Sequence, residues 1–239
     1  MWDDHRQLNR LAALLYTLAA LGIAYAALMT VIRLPVFPLR EVTVAGQILH
    51  TTPEQLDAIA NRQLRGNFFT LDLEAARRSF EKLPWVRNAR LRRAWPDRLE
   101  VVLEEHEALA RWRDVGLVNT YGEVFDAASA SRLPVFAGPD DAAGEIALHY
   151  VAFRDALAAI GRSPVEVRLS GRRAWQIKLD DGRLLELGRQ DVVRRLVRFA
   201  EVYPRVAEQL RDTVYRVDLR YPNGFAVRLP GLRWDERPV

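Results

Sequence analysis

The sequence predicts an α+β protein with an N-terminal transmembrane helix, a small β-α-α-β-β unit, and a strand-rich second domain whose antiparallel sheet carries helices. Three observations predict it. Leu11 to Ile32 is a run of 22 residues without a charge. Between Leu39 and Glu107 the apolar spacing switches from period 2 to period 3.6 and back, marking a strand, two helices and a hairpin. From Ala108 onward, short alternating segments recur between Gly- and Asp-containing turns.

The apolar run comes first. At about 1.5 Å per helical residue it covers a hydrocarbon core of roughly 30 Å. A cleaved signal peptide competes with this, because Ala24-Tyr25-Ala26 mimics a cleavage site. Signal h-regions span about 7 to 15 residues, however, and here the apolar character continues through Leu28, Met29, Val31 and Ile32. An uncleaved anchor fits better. Arg6 and Arg10 precede the span and Arg33 and Arg40 follow it, a tie that leaves orientation undecided by charge. The expected layout is a tail over 1–10, the span over 11–32, a linker over 33–38 stiffened by Pro35 and Pro38, folded domains over 39–107 and 108–230, and a tail over 231–239.

In the first domain Glu41 to Val44 alternates as a strand that Gly46 ends. Thr52-Pro53-Glu54-Gln55 opens a helix, with Thr52 as N-cap and Gln55 completing a capping box. A second helix starts at Asp72 and spaces Leu73, Ala76, Phe80 and Leu83 along one face before Pro84. A hairpin follows, Val86 to Arg93 and Leu99 to Glu105, turning at Ala94-Trp95-Pro96-Asp97. Arg87, Arg90, Arg92 and Arg93 look like a nucleic-acid stripe when taken alone. The facing strand and its end carry Glu100, Glu104, Glu105 and Glu107, so cross-strand ion pairs account for them. A net charge of +4 from 35 Lys plus Arg against 31 Asp plus Glu adds little to a nucleic-acid reading.

The second domain opens with strands at Ala110 to Trp112 and Leu117 to Thr120. A helix carries Ile146, Tyr150, Phe153, Leu157 and Ile160 on one side and closes at Gly161. Strands at Val165 to Leu169, Ala174 to Leu179 and Leu184 to Leu187 come next. A helix over Asp191 to Tyr203 turns Val192, Leu196, Phe199 and Tyr203 inward and Arg194, Arg195 and Arg198 outward, and Pro204 is expected to end it. In the last hairpin, Tyr215, Val217, Leu219 and Tyr221 alternate with Arg216, Asp218 and Arg220, and the chain returns from Pro222-Asn223-Gly224 as Phe225 to Leu229.

Catalytic chemistry is not evident. With no Cys, thiolate metal sites and a Cys nucleophile are excluded, and Lys occurs only at Lys82 and Lys178. No nucleophile elbow, P-loop, zinc-protease motif or dinucleotide fingerprint is present. Of the four His, only His106, in Glu105-His106-Glu107, resembles a metal or acid-base cluster. On a strand it would face away from both carboxylates, as a surface residue. Asp140-Asp141 and Asp180-Asp181 fall where turns already call for Asp.

The motifs carry a family resemblance. VTVAG at Val42 to Gly46, LPWV at Leu83 to Val86 and AWPDRLEV at Ala94 to Val101 resemble a POTRA domain. LVNTYGEVF at Leu117 to Phe125, RRAWQIKL at Arg172 to Leu179, LGR at Leu187 to Arg189, RLVRFAEVYP at Arg195 to Pro204 and VDLRYPNGFAV at Val217 to Val227 are similar, in order and spacing, to the FtsQ/DivIB family of division proteins. The resemblance implies a non-enzymatic scaffold of the inner membrane, with a cytoplasmic N-terminus and a periplasmic ectodomain at the septum. It also implies binding of FtsB and FtsL and a link to FtsW and FtsI, with no metal, cofactor, nucleic acid or small-molecule substrate. A POTRA-type envelope-assembly or chaperone-like protein is the alternative.

The partner site is expected on the last hairpin, at Arg172, Arg220, Tyr221, Asn223, Gly224, Phe225, Val227 and Leu229. In the family, residues matching Arg172, Arg220, Tyr221, Gly224 and their neighbours contact FtsB. An edge strand from Phe225 would accept a partner segment by strand addition. Tyr221 and Phe225 would serve as exposed anchors, Gly224 would allow close approach, and Arg172 and Arg220 would pair with a partner carboxylate. Tyr221 also continues the inward face, so a core role is the competing reading.

Overall fold

Helix α1 (His5–Arg33) contains a 24-residue stretch, Asn9–Ile32, of mean hydropathy 2.0, long and apolar enough to cross a bilayer. The structure is a computed structural model that describes residues 5–33, 38–64, 67–206, 216–221 and 224–228. Two compact units divide between Glu105 and His106.

In the first unit, strand β1 (Glu41–Ala45) is followed by α2 (Pro53–Gln63), α3 (Leu73–Phe80), β2 (Val86–Ala94) and β3 (Arg98–Glu105). Both caps form. The Thr52 side chain accepts from Gln55 N while the Gln55 side chain accepts from Thr52 N, and Asp72 accepts from Ala75 N. The sheet order is β1-β3-β2, with β1 parallel to the central β3 and β2 antiparallel to it. Leu56, Leu71, Phe80, Val86, Leu99, Val101 and Leu103 form the core between helices and sheet. Arg87 pairs with Glu104 at 2.7 Å and Arg92 with Glu100 at 2.5 Å. Arg93 and Glu105, also expected as cross-strand partners, do something else. Arg93 donates to the carbonyls of Phe68 and Leu71, and Glu105 accepts from the backbone N–H groups of Leu49, His50 and Thr51.

The second unit contains β4 (Ala108–Trp112), β5 (Gly116–Asn119), β6 (Val124–Phe125), β7 (Val135–Ala137), α4 (Ala143–Ala158), β8 (Pro164–Leu169), β9 (Trp175–Leu179), β10 (Leu184–Gly188), α5 (Val192–Val206), β11 (Arg216–Asp218) and β12 (Ala226–Arg228). They make a nine-stranded sheet in the order β12-β11-β10-β9-β8-β7-β4-β5-β6.

The sheet is mixed, not simply antiparallel. Helix α4 connects the parallel neighbours β7 and β8, and α5 connects the parallel neighbours β10 and β11. A helical crossover is the ordinary way to join parallel strands and accounts for these two pairs; the third parallel pair, β4 with β7, is joined through β5, β6 and the loop after them. Ile146, Phe153, Leu196 and Phe199 from these helices pack on Val167, Ile177, Leu185 and Val217 of the sheet.

Pro204 does not end α5, which runs to Val206. Proline removes one N–H and crowds the turn before it, and so close to a helix end that leaves the remaining residues free to stay helical.

Candidate partner-binding edge

The last hairpin supplies the end strand of the large sheet. Leu219 N–H donates to Glu186 O at 2.8 Å, so Val217 and Leu219 direct their backbone polar groups at β10. Strand alternation then turns Arg216 and Asp218 toward β12, where they lie opposite Arg228 and Ala226. The N–H and C=O of Val227 therefore point away from the sheet, and among the described residues no strand lies beyond β12. Among the described residues that hydrogen-bonding edge is unfilled.

Sheet topology brings further groups to one end of this edge. Gly188 lies opposite Trp175 across β10 and β9, and β11 runs parallel to β10. The β8–β9 turn bearing Arg172, the loop at Arg189 and the turn beginning at Arg220 and Tyr221 thus share an end of the sheet. Arg172, Arg189 and Arg194 are exposed, and together they give that end a positive character suited to an acidic partner.

The expected site residues divide by environment. Tyr221 is 54% exposed, which removes the core reading for its side chain. Phe225 is different: its ring packs edge-on to Phe199 with centroids 5.6 Å apart, at the margin of the core. Its parity with Val217 and Leu219 places it on the helix-covered face, so it is an internal brace more than an exposed anchor. Val227 sits opposite Val217 on the same face and is exposed at the rim. A side chain added at Gly224 would meet nothing within 4 Å, so open space adjoins the turn. Asn223 and Leu229 lie outside the described residues, as do Tyr215 and Pro222.

Arg220 is engaged by its own chain. Its Nε and Nη2 donate to the two Asp218 carboxylate oxygens at 2.8 and 2.6 Å, and Glu186 lies 3.7 Å from Nη2. The Arg220 hydrogen bond lowers the pKa of Asp218 against the opposing effect of burial, and the same bond raises that of Arg220. A partner carboxylate at Arg220 would have to share the guanidinium with Asp218. Arg172 has the freer geometry, since its neighbour Arg173 is the one paired with Asp141 and Glu145, at 2.5 and 2.6 Å.

Two α5 arginines read from periodicity as outward-facing also bind backbone at this end of the sheet, one at the hairpin turn and one at the end of β10. Arg198 donates to Tyr221 O at 2.9 Å and Arg195 to Leu187 O at 2.7 Å. Helix periodicity gives the face of a residue but not the carbonyl its long side chain can reach, so no local signal marked them.

The expected surface histidine is also placed differently. His106 lies between β3 and β4, not within a strand, and is half-buried. Its ring stacks on Phe125 with centroids 4.1 Å apart, and its Nδ1 is 2.9 Å from Asn119 Nδ2.

Fold and site together define a POTRA-type protein with an apolar N-terminal helix of membrane-spanning length and an open strand edge in its second unit. Residues 37–106 match the family model of the POTRA domain, FtsQ-type, and residues 110–220 that of the cell division protein FtsQ/DivIB C-terminal region. The chain belongs to the FtsQ/DivIB family of cell division proteins. It is 43% identical over 233 residues to cell division protein FtsQ of Nitrosospira multiformis, covering 95% of this chain and 99% of that one. FtsQ of Burkholderia pseudomallei is 41% identical, with 98% and 96% covered, and FtsQ of Neisseria gonorrhoeae is 31% identical, with 95% of each covered.

Proposed function

We propose that the chain is a non-enzymatic scaffold of the division machinery that binds the periplasmic segments of FtsB and FtsL, the former by strand addition along β12, and so links early division proteins to FtsW and FtsI in septal peptidoglycan synthesis. The observation that carries this is the outward-pointing N–H and C=O of Val227 on the terminal strand. Backbone pairing supplies a general attraction, and exposed Tyr221 and Arg172 at the same end supply choice through aromatic contact and pairing with an acidic residue. Anchoring by α1, with the N-terminus in the cytoplasm and both folded units in the periplasm at the septum, puts the edge where such segments run.

Capture of the FtsB periplasmic segment from the same organism by the full-length chain in detergent tests the reading. Val227→Pro removes only a donor that points outward, a placement edge strands tolerate, so the fold should survive while capture is lost. Tyr221→Ala should weaken capture by about 5- to 30-fold, the range for loss of an aromatic anchor worth roughly 1–2 kcal/mol. Undiminished capture by both variants, with unchanged circular dichroism, would overturn the assignment.

A further inference from the structure

We infer that the membrane-proximal end of the first unit is a second membrane contact, with Trp95 and Phe69 seated among the phospholipid headgroups beside the point where α1 leaves the bilayer; this rests on the reading of α1 as a membrane span.

The exit of the chain locates that end. Strand β1 begins beside the β2–β3 turn, because Glu41 lies opposite Arg98 and Arg40 N–H donates to Asp97 O at 3.0 Å. Only six residues separate Arg40 from Arg33, the last residue of α1, so the seven Cα–Cα steps hold the turn within about 25 Å of the helix end even in a fully extended chain. A second tether is tighter. Asn67 Nδ2 donates at 2.6 Å to the carbonyl of Ile32, in the last turn of the apolar stretch, while Asn67 Oδ1 accepts from the N–H groups of Phe69 and Thr70. The loop after Asn67 is in turn fastened to β2, since Arg93 reaches the carbonyls of Phe68 and Leu71. Loop and turn therefore form one end of the unit, placed at the depth where α1 meets the headgroups.

What they expose there is unusual for a surface facing only water. Trp95 is 82% exposed at the tip of its turn, and Phe69 is 47% exposed in the loop. Neither ring is buried and neither lies on a strand edge, though the Phe69 ring also packs edge-on to the buried Phe68 with centroids 5.2 Å apart, which fixes its position. Aromatic rings flanked by arginines are the composition enriched at membrane–water boundaries, where the ring sits among headgroups and the guanidinium reaches phosphate. Arg40, Arg92 and Arg98 keep exposed side chains at this same end, each in an ion pair with Asp97, Glu100 and Glu41 respectively, so a lipid phosphate would share these guanidinium groups with carboxylates and the aromatic rings carry the contact. The remainder of the unit points away, because β1 and β3 both run from this end.

The absence of Cys makes a direct test simple. Single Trp95→Cys, Phe69→Cys, Leu49→Cys and Val31→Cys variants of the full-length chain, each labelled with an NBD fluorophore, are placed in nanodiscs of phosphatidylethanolamine and phosphatidylglycerol. A lipid carrying a nitroxide on its headgroup is then added. Leu49 is 84% exposed and lies at the far end of β3, about 25 Å from the tip at ~3.3 Å per residue. Labels at 95 and 69 should be quenched at least about twofold more than the label at 49, as expected for groups held about 5–10 Å from the headgroup boundary. The label at 31 reports the span itself. Quenching at 31 with 95 and 69 no better quenched than 49 would overturn the membrane contact alone, and so would blue-shifted but unquenched emission at 95, which marks a protein contact instead. No quenching at 31 would overturn the span and the contact together.

Discussion

Among the described residues, Glu105 is a carboxylate held well below its ordinary range. Its side chain is only 6% exposed, and its carboxylate accepts N–H bonds from Leu49, His50 and Thr51 at 2.8–3.3 Å. Burial alone would raise its pKa, but the hydrogen bonds it accepts from the Leu49, His50 and Thr51 segment outweigh burial and bring it down to about 2. Because the folded value is depressed below the ordinary 4.5, the stabilisation is fully present above about pH 4.5 and is lost as pH falls toward 2. The shift sets an upper limit of about 3 kcal/mol on this contribution. Glu105→Gln should therefore lower the melting temperature of the full-length chain at pH 7 and flatten its decline between pH 4.5 and 2. Melting curves that stay parallel for the two proteins through that window would contradict this account. From the sequence, Glu105 reads as one more cross-strand partner for the β2 arginines. A carboxylate that closes a loop some 55 positions earlier in the chain has no periodic or local signature, which is why residue-scale roles such as this one, and that of Arg198 at Tyr221, required the fold.

At the scale of elements, local rules carried further. The Thr52–Gln55 capping box, the helix start at Asp72 and the strand ending at Leu179 are all present in the structure as their spacing requires, because each depends on interactions within one turn or one strand face. What local rules do not contain is the order of strands. The 2–3-residue strands β6 and β7 are too short to show a period, and the parallel pairing of β10 with β11 depends on where α5 folds back. Gly46 offers a test of how much one element end contributes. It has φ +134°, and a side chain there would fall on the backbone carbonyl of Leu103 in the central strand β3. Gly46→Ala adds backbone strain to that clash, so it should destabilise the first unit by about 2–4 kcal/mol. For a unit of this size that corresponds to a fall of about 10 °C or more in its melting temperature. An unchanged melt would mean that the β1–β3 crossing can open around a methyl group. The last hairpin makes the same point about function: its alternation marks Phe225 and Val227 as equals, yet the first braces Phe199 and the second offers its backbone outward. A Phe225→Ala variant would thus mix loss of packing with loss of binding, whereas Val227→Pro separates them.

For the whole molecule, the decisive question is which side of the membrane the two units occupy, because strand addition at β12 can serve only segments present in that compartment. Charge flanking the span is tied, with Arg6 and Arg10 against Arg33 and Arg40, so orientation must be measured. A chain without Cys again permits it. Single cysteines at Asp4, Leu49 and Val115 sample the N-terminal tail, the first unit and the second; Leu49 and Val115 are both strongly exposed and far from their cores. With both units outside the cytoplasm, a membrane-impermeant maleimide added to intact spheroplasts should label Leu49→Cys and Val115→Cys within minutes and should label Asp4→Cys only after lysis. The reverse pattern would place β12 in the cytoplasm and remove periplasmic segments as its partners. Labelling of all three in intact spheroplasts would show the chain released from the membrane, and with it the tether that holds the Trp95 turn at the bilayer surface would be lost.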